Sequence, residues 1–286
     1  MEKGNSWRVA TCILILLICA GIVAFFYFSR GEDGTFDPSN IFKTGDGGTA
    51  PKAIPLTTYP EKGLYLDFVD PVPSGLFYKS DGVRNTNDYY NCIWDAKTSD
   101  IIDGKLSLWL EARTLENDSS FWYAPELFTS VNFHYGLYEA SIKVPHQAGV
   151  VTFFGTYDHV SGDEIDIEFN GSKPNEVELN YWSKGKNAKG HVIKLGFDAT
   201  ADYHTYAFDW RPEGITWYVD GEQVWSTTYK EVGSPVDTPS PIIMNLWPGS
   251  SYVSSWLGAY LNPANPPANR IEASFDWIRF TPHRED

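Results

Sequence analysis

From Leu64 onward the chain alternates apolar and polar residues in short segments, among them "KLSLWLEA", "LYEASIKV", "VVTFFGTY", "EIDIEF", "VELNYW" and "ASFDWIRF". A period of two belongs to a β-strand with one face buried and one face wet, and helical spacing is almost absent. Turn residues separate the segments: Asp-Gly at 103–104 and 220–221, "PEG" at 212–214 and "PANPPAN" at 263–269. The pattern predicts an all-β fold, an antiparallel sandwich or barrel of many short strands without an internal repeat. Its clearest local element is the hairpin "YVDGEQVW", where Asp220-Gly221 suits a type I′ turn between alternating strands.

The chain upstream reads differently. Val9–Phe28 holds twenty residues without a charge, enough at 1.5 Å per residue to cross roughly 30 Å of hydrocarbon. A transmembrane signal anchor is expected there. Lys3 and Arg8 precede it, which favours residues 1–8 as a cytoplasmic tail and places the remainder outside the cytoplasm. A cleaved signal peptide, hence secretion, is the alternative, although no small-residue cleavage site follows the run. Residues 29–62, rich in Gly, Pro, Thr and Asp, read as a flexible stem, and 63–286 as the functional domain.

One segment breaks the ordinary alternation. "GDEIDIEFNG" (162–171) sets Glu164, Asp166 and Glu168 on one face of a strand and Ile165, Ile167 and Phe169 on the other. Three adjacent like charges destabilise a strand unless something compensates. A solvated acidic face would mix Lys and Thr among them, and a calcium site draws its oxygens from a loop. Paired carboxylates suit glycoside hydrolysis, in which one acts as nucleophile and the other as acid, then base. A short Asp between two Glu residues couples their titration and helps keep one protonated.

Composition narrows the partners. The net charge of −15 over 286 residues argues against nucleic acid or an anionic membrane surface, while 16% aromatic residues exceed what packing alone requires. Cys12 and Cys19 lie in the apolar run, so Cys92 stands alone in the remainder and can form no internal disulfide. Its setting, "YYNCIW", is that of a buried inert thiol. The six His residues show no metal-ligand spacing, and catalysis is expected to need no cofactor.

The segment "DEIDIEF", together with "YGLYEASIKV", "PIIMNLWPG", "SWLGAY" and "FDWIRFTP" in the same order, resembles glycoside hydrolase family 16, most closely its bacterial lichenase branch of endo-β-1,3-1,4-glucanases. The resemblance covers roughly residues 64–282 and implies a jelly-roll β-sandwich of two antiparallel sheets with a β-glucan across one of them. It implies Glu164 as nucleophile, Glu168 as acid/base and Asp166 as assisting carboxylate. By the same matching Asn85, Tyr90, Glu126, Tyr157, Asn180, Trp182, Asn245 and Trp247 would bind the glucan, and Asp276 with the Gly104 carbonyl would hold a structural calcium. The domain is expected to work as a monomer. Asn117 and Asn170 head glycosylation sequons.

Three departures from the family pattern bear on specificity. Gly162 stands where lichenases carry a tryptophan, Phe128 where they carry an arginine, and Ala124 where the partner of their cysteine would be. The first two remove subsite contacts, and the third removes a staple. The short loop before "DEIDIE" also resembles that of the family's transglycosylases, so transfer to a second sugar competes with hydrolysis. A non-catalytic glucan-binding module is disfavoured, since a binder gains nothing from a repulsive acidic trio.

Overall fold

A computed structural model describes residues 59–86 and 89–283, together with the backbone of 17–19 and 22–24. The fold is all-β. An eight-stranded sheet runs in the order Lys186–Asn187, Glu176–Ser183, Glu164–Asn170, Val150–Tyr157, Ile242–Pro248, Glu126–Thr129, Phe77–Lys79, with His191–Lys194 also paired to Glu176–Ser183. An eleven-stranded sheet packs against it, centred on Gly136–Lys143 between His204–Arg211 and Ile271–Pro282.

The alternation read from the sequence is what builds the core between them. Ile165, Ile167 and Phe169 project to the inner face of the smaller sheet and are buried with Phe154, Leu179 and Met244. From the other sheet Tyr206 meets Phe169 edge-on at 4.6 Å between ring centroids, and Phe208 and Phe275 approach Phe154 at 6.1 and 6.4 Å. Trp217, fully buried, stacks on Trp225 at 4.5 Å and donates its indole N–H to the Asp166 carbonyl at 3.3 Å. It ties the larger sheet to the underside of the acidic strand. The Asp-Gly turn at 220–221 joins Gly214–Val219 to Glu222–Thr227 as expected, with φ of +49° at Asp220 and +81° at Gly221.

Several expectations need correction. The sandwich is not wholly antiparallel: Asn91–Trp94 runs parallel to Ser120–Ala124, with Cys92 opposite Trp122. The two strands belong to different hairpins, so nothing in local turn chemistry fixes their direction. The expected membrane helix at 9–28 lies outside the described residues except for Leu17–Cys19 and Ile22–Ala24, which pair as a short antiparallel ribbon and are extended instead of helical. Among the described residues no helix is long and apolar enough to cross a membrane. The expected stem at 29–62 is described only from Tyr59, where Tyr59–Lys62 forms one helical turn and Tyr59 packs against the core.

Candidate active site

Register assembles the site. Along Glu164–Asn170, Glu164 lies between Tyr157 and Trp182, Asp166 between Gly155 and Asn180, and Glu168 between Phe153 and Glu178. Residues directly opposed across strands share a face, so these nine form a three-by-three patch on the outward side of the smaller sheet. Beyond Phe153 the same row continues to Asn245 and Glu126. This outward face is nonetheless recessed: Glu164 and Trp182 are 2% and 4% exposed and Asp166 is 0% exposed, although no second sheet covers them.

The electrostatics separate the three carboxylates. Burial, then the charge of Glu164 and a hydrogen bond to it, push Asp166 well above the usual carboxylate range. No backbone or hydroxyl donor reaches either Asp166 oxygen. The raised Asp166 carboxyl therefore favours its protonated form beside Glu164. Glu168, which keeps some exposure, is raised by burial, then by Asp166 and Glu178. Tyr90, buried at the end of the row, is pushed well up by burial and then by the charges of Glu164, Glu126 and Glu168. Glu164, Glu168 and Glu126 thus bear on one phenol, as expected of groups that line a common recess. The shift at Glu168 favours its protonated form, the state that a general acid requires.

The other residues singled out from sequence fall mostly around this patch. Trp182 carries a buried indole N–H with no acceptor, and Asn245 a buried Oδ1 with no donor. Orphaned polar atoms of this kind fit a hydroxylated ligand. Asn180 Oδ1 accepts the Gly190 N–H at 2.9 Å, which fixes the amide beside Asp166. Trp247 sits 4.6 Å from Tyr90 and 6.2 Å from Trp256, centroid to centroid, so flat rings border the row. Tyr157 lies opposite Glu164, and its ring meets His159 at 4.7 Å. Asn85 lies on an edge strand of the larger sheet, opposite Cys92. Burial, then Glu126, push the Cys92 thiol well up, as expected of an inert core residue.

Glu126 accepts from the Ser80 hydroxyl at 2.5 Å and is also hydrogen-bonded by Asn245. Burial outweighs these donors and pushes its pKa up to about 6. In Glu126→Gln, kcat/KM for the ligand is expected to fall by about tenfold, mostly through KM, because one charge-assisted hydrogen bond is lost while the reacting groups remain. Steady-state kinetics above pH 6 would check this.

Four residues that sequence reasoning passed over also shape the patch. Phe153 and Gly155 face outward from the central strand. A Cβ at Gly155 would stand 2.1 Å from the Ile165 carbonyl oxygen and 2.8 Å from the tip of the Phe153 ring, so the glycine lets Phe153 lie over it as floor beside Asp166. Glu178 lies opposite Glu168, and Trp256 donates to its carboxylate at 2.9 and 3.1 Å.

Asp163 precedes the acidic strand and is completely buried. It accepts the N–H groups of Lys184, Thr238 and Asp237 at 2.8, 3.0 and 3.1 Å and the Lys184 ammonium at 3.1 Å. Burial alone would raise its pKa, but these donors prevail and hold it below the usual range. A depressed native pKa stabilises the fold above the unfolded value near ~4, and that contribution is lost as pH falls through the native value. Asp163→Asn is expected to cost about 3 kcal/mol at neutral pH in urea unfolding, and less near pH 3. Gly162, at φ +71° and hydrogen-bonded to Asp158 and Gly185, supplies the turn that brings Asp163 inward.

The peripheral expectations fare unevenly. Asp276 pairs with the Lys105 ammonium at 2.5 Å, and among the described residues no three His, Cys, Asp or Glu side chains gather to hold a metal. Asn117 is exposed in a turn. Asn170 is buried, and its Nδ2 donates to the Trp256 carbonyl at 2.7 Å, the nitrogen that a glycan would need. Ala124, buried, leaves Cys92 without a disulfide partner.

Comparison with known proteins agrees with the geometry. Residues 86–279 match the family model described as glycosyl hydrolases family 16. A β-glucanase of Paenibacillus polymyxa is 40% identical over 213 residues, covering 73% of this chain and 83% of that protein. One from Bacillus subtilis is 38% identical over 224 residues, covering 77% and 86%. Among solved structures, a prokaryotic β-1,3-1,4-glucanase (lichenase) from a mouse hindgut metagenome superposes with a TM-score of 0.69 at 34% identity, covering 78% of this chain and 100% of that one. The β-glucanase of Bacillus licheniformis gives a TM-score of 0.68 at 35% identity, covering 78% and 99%.

Proposed function

The chain belongs to glycosyl hydrolases family 16, and from that premise we propose that it is a retaining endo-β-glucanase acting on β-1,3-1,4-linked or related glucans. The observation that carries this reading is the placement of Glu164, Asp166 and Glu168 side by side on one recessed face of the smaller sheet, with the Asp166 and Glu168 carboxyls both raised by burial and by their neighbours. Glu164 attacks the anomeric carbon while Glu168 gives its proton to the departing glycosidic oxygen, leaving a glycosyl ester on Glu164. Glu168, now a carboxylate, takes a proton from water as that water attacks the same carbon and frees Glu164. Asp166 holds its proton toward Glu164, steadies the attacking oxygens and screens the strand from a third charge. Trp247 and Tyr90 offer flat faces for sugar rings, and Trp182 and Asn245 offer polar atoms for hydroxyl groups.

Hydrolysis is the primary outcome because lichenases and β-glucanases are the relatives at substantial identity. The uncharged run at 9–28 supports export, which would place the domain where extracellular glucans occur. The test is a substrate panel. Residues 59–286, incubated separately with lichenan, laminarin, xyloglucan and cellulose, are expected to release short oligosaccharides from lichenan first. Chain extension of a labelled oligosaccharide acceptor, without net release of reducing ends, would replace hydrolysis by transfer. Unchanged polymer length with measurable binding would reject both.

A further inference from the structure

Glu178 is a further carboxylate on the catalytic face, beside the acidic trio and Glu126, and the reaction as derived gives it no task. It lies directly opposite Glu168 in the sheet register, where Cβ atoms stand about 4.5–5.5 Å apart. Two ionised carboxylates at that spacing repel, so the arrangement persists only if one of them is neutral or well compensated. The donors sit on Glu178. Trp256 Nε1 reaches both of its oxygens, and Lys173 Nζ stands 3.7 Å from Oε1. Trp256 comes from the helical turn Ser254–Leu257, whose residues also hold the end of the acidic strand through the Asn170–Trp256 carbonyl bond.

We propose that Glu178 is a positioning residue whose fixed negative charge keeps the proton on Glu168, with Trp256 as its clamp and Lys173 as its partial screen. The charged and titratable groups bearing on Glu168 come from every neighbouring element. Asp166 and Glu164 lie on its own strand, Glu178 on the strand to one side with Lys173 beyond it, and Glu126 and Tyr90 beyond the uncharged Phe153 on the other. Of these, only Glu178 is both directly opposed to Glu168 and contacted by an indole N–H and an ammonium. Its charge is among those that raise the Glu168 carboxyl, after burial and Asp166.

The inference rests on Glu168 as the general acid. Its sign follows from that role, since the acid must be protonated and the alkaline limb of kcat/KM reports its ionisation in the free enzyme. Removing a neighbouring negative charge lowers the acid's pKa, and removing a neighbouring positive charge raises it. With lichenan as substrate, Glu178→Gln, which keeps an oxygen for Trp256, is expected to move the alkaline limb to lower pH by about 0.5–1. Lys173→Gln is expected to move it upward by a smaller amount. An unmoved limb in Glu178→Gln, or shifts of the same sign in both variants, would overturn the proposal. A Glu168→Gln enzyme that retained full activity would instead overturn the acid assignment beneath it, so the two failures are distinguishable.

Discussion

Glu168→Gln is expected to lower kcat on mixed-linkage glucan by on the order of 10³, and Glu164→Gln by about 10⁴ or more. The first removes the proton that the departing sugar oxygen needs. The second removes the group that would form the glycosyl ester. Both substitutions are nearly isosteric and neither adds charge to an acidic strand, so neither should impair folding. The two roles separate on an aryl glycoside whose phenolate leaves without protonation. On that substrate Glu168→Gln should recover its first step, visible as a burst of phenolate, while Glu164→Gln should remain inactive. A wild-type-like turnover in either variant on the polymer would remove the assignment. For the wild-type enzyme, activity is expected to fall on the alkaline side as Glu168 ionises, at a pH above the ordinary carboxylate range because burial, Asp166 and Glu178 hold its proton.

Trp217→Ala should cost the most stability, about 3–5 kcal/mol. The indole is fully buried, stacks on Trp225, and donates to the carbonyl of Asp166. Truncation leaves a cavity beneath the catalytic strand and removes the indole donor to the Asp166 carbonyl. Trp217→Phe, which keeps most of the volume, is expected to cost about 1–2 kcal/mol. Urea unfolding followed by tryptophan fluorescence would measure both. Equal losses in the two variants would mean that the hydrogen bond, and not the packing, carries the effect. The Ala variant should also lose kcat in proportion to the disorder introduced at Asp166, a link between core and chemistry that the Phe variant preserves.

The legible part of the molecule is the part written locally. Period-two alternation marks the strands, and because a strand's side chains alternate faces, "DEIDIEF" alone places three carboxylates on one side and three core residues on the other. The Asp220-Gly221 hairpin follows from turn chemistry in the same way. What escaped depends on which strand lies beside which. Glu178 sits ten residues from Glu168 in sequence and becomes its neighbour only through register. Phe153 looks like one half of a core pair with Phe154, yet it faces outward, over a glycine whose missing side chain makes room for it. Asp163 reads as part of the acidic run, but it turns away to bind the backbone of two distant loops. The parallel pairing of Asn91–Trp94 has no local signal, and it carries Asn85 to an edge strand. Asn170 illustrates the converse: a sequon is visible in three letters, while the burial that occupies its amide is visible only after folding.

A jelly-roll sandwich tolerates the acidic trio because its charge is never threefold. Burial and mutual proximity raise the Asp166 carboxyl, and the same forces raise that of Glu168, so both favour their protonated forms. The strand's repulsion is thereby relieved by protonation, and a proton on Glu168 is what glycosyl transfer to a carboxylate requires.

The most direct test is the anomeric configuration of the first product, followed by proton NMR from the moment lichenan and the wild-type enzyme are mixed. Two successive displacements at the anomeric carbon predict that the β-anomer appears first and then mutarotates toward equilibrium with the α-anomer. An α-anomer formed first would mean that water displaces the leaving sugar directly, and Glu164 would then not be the nucleophile.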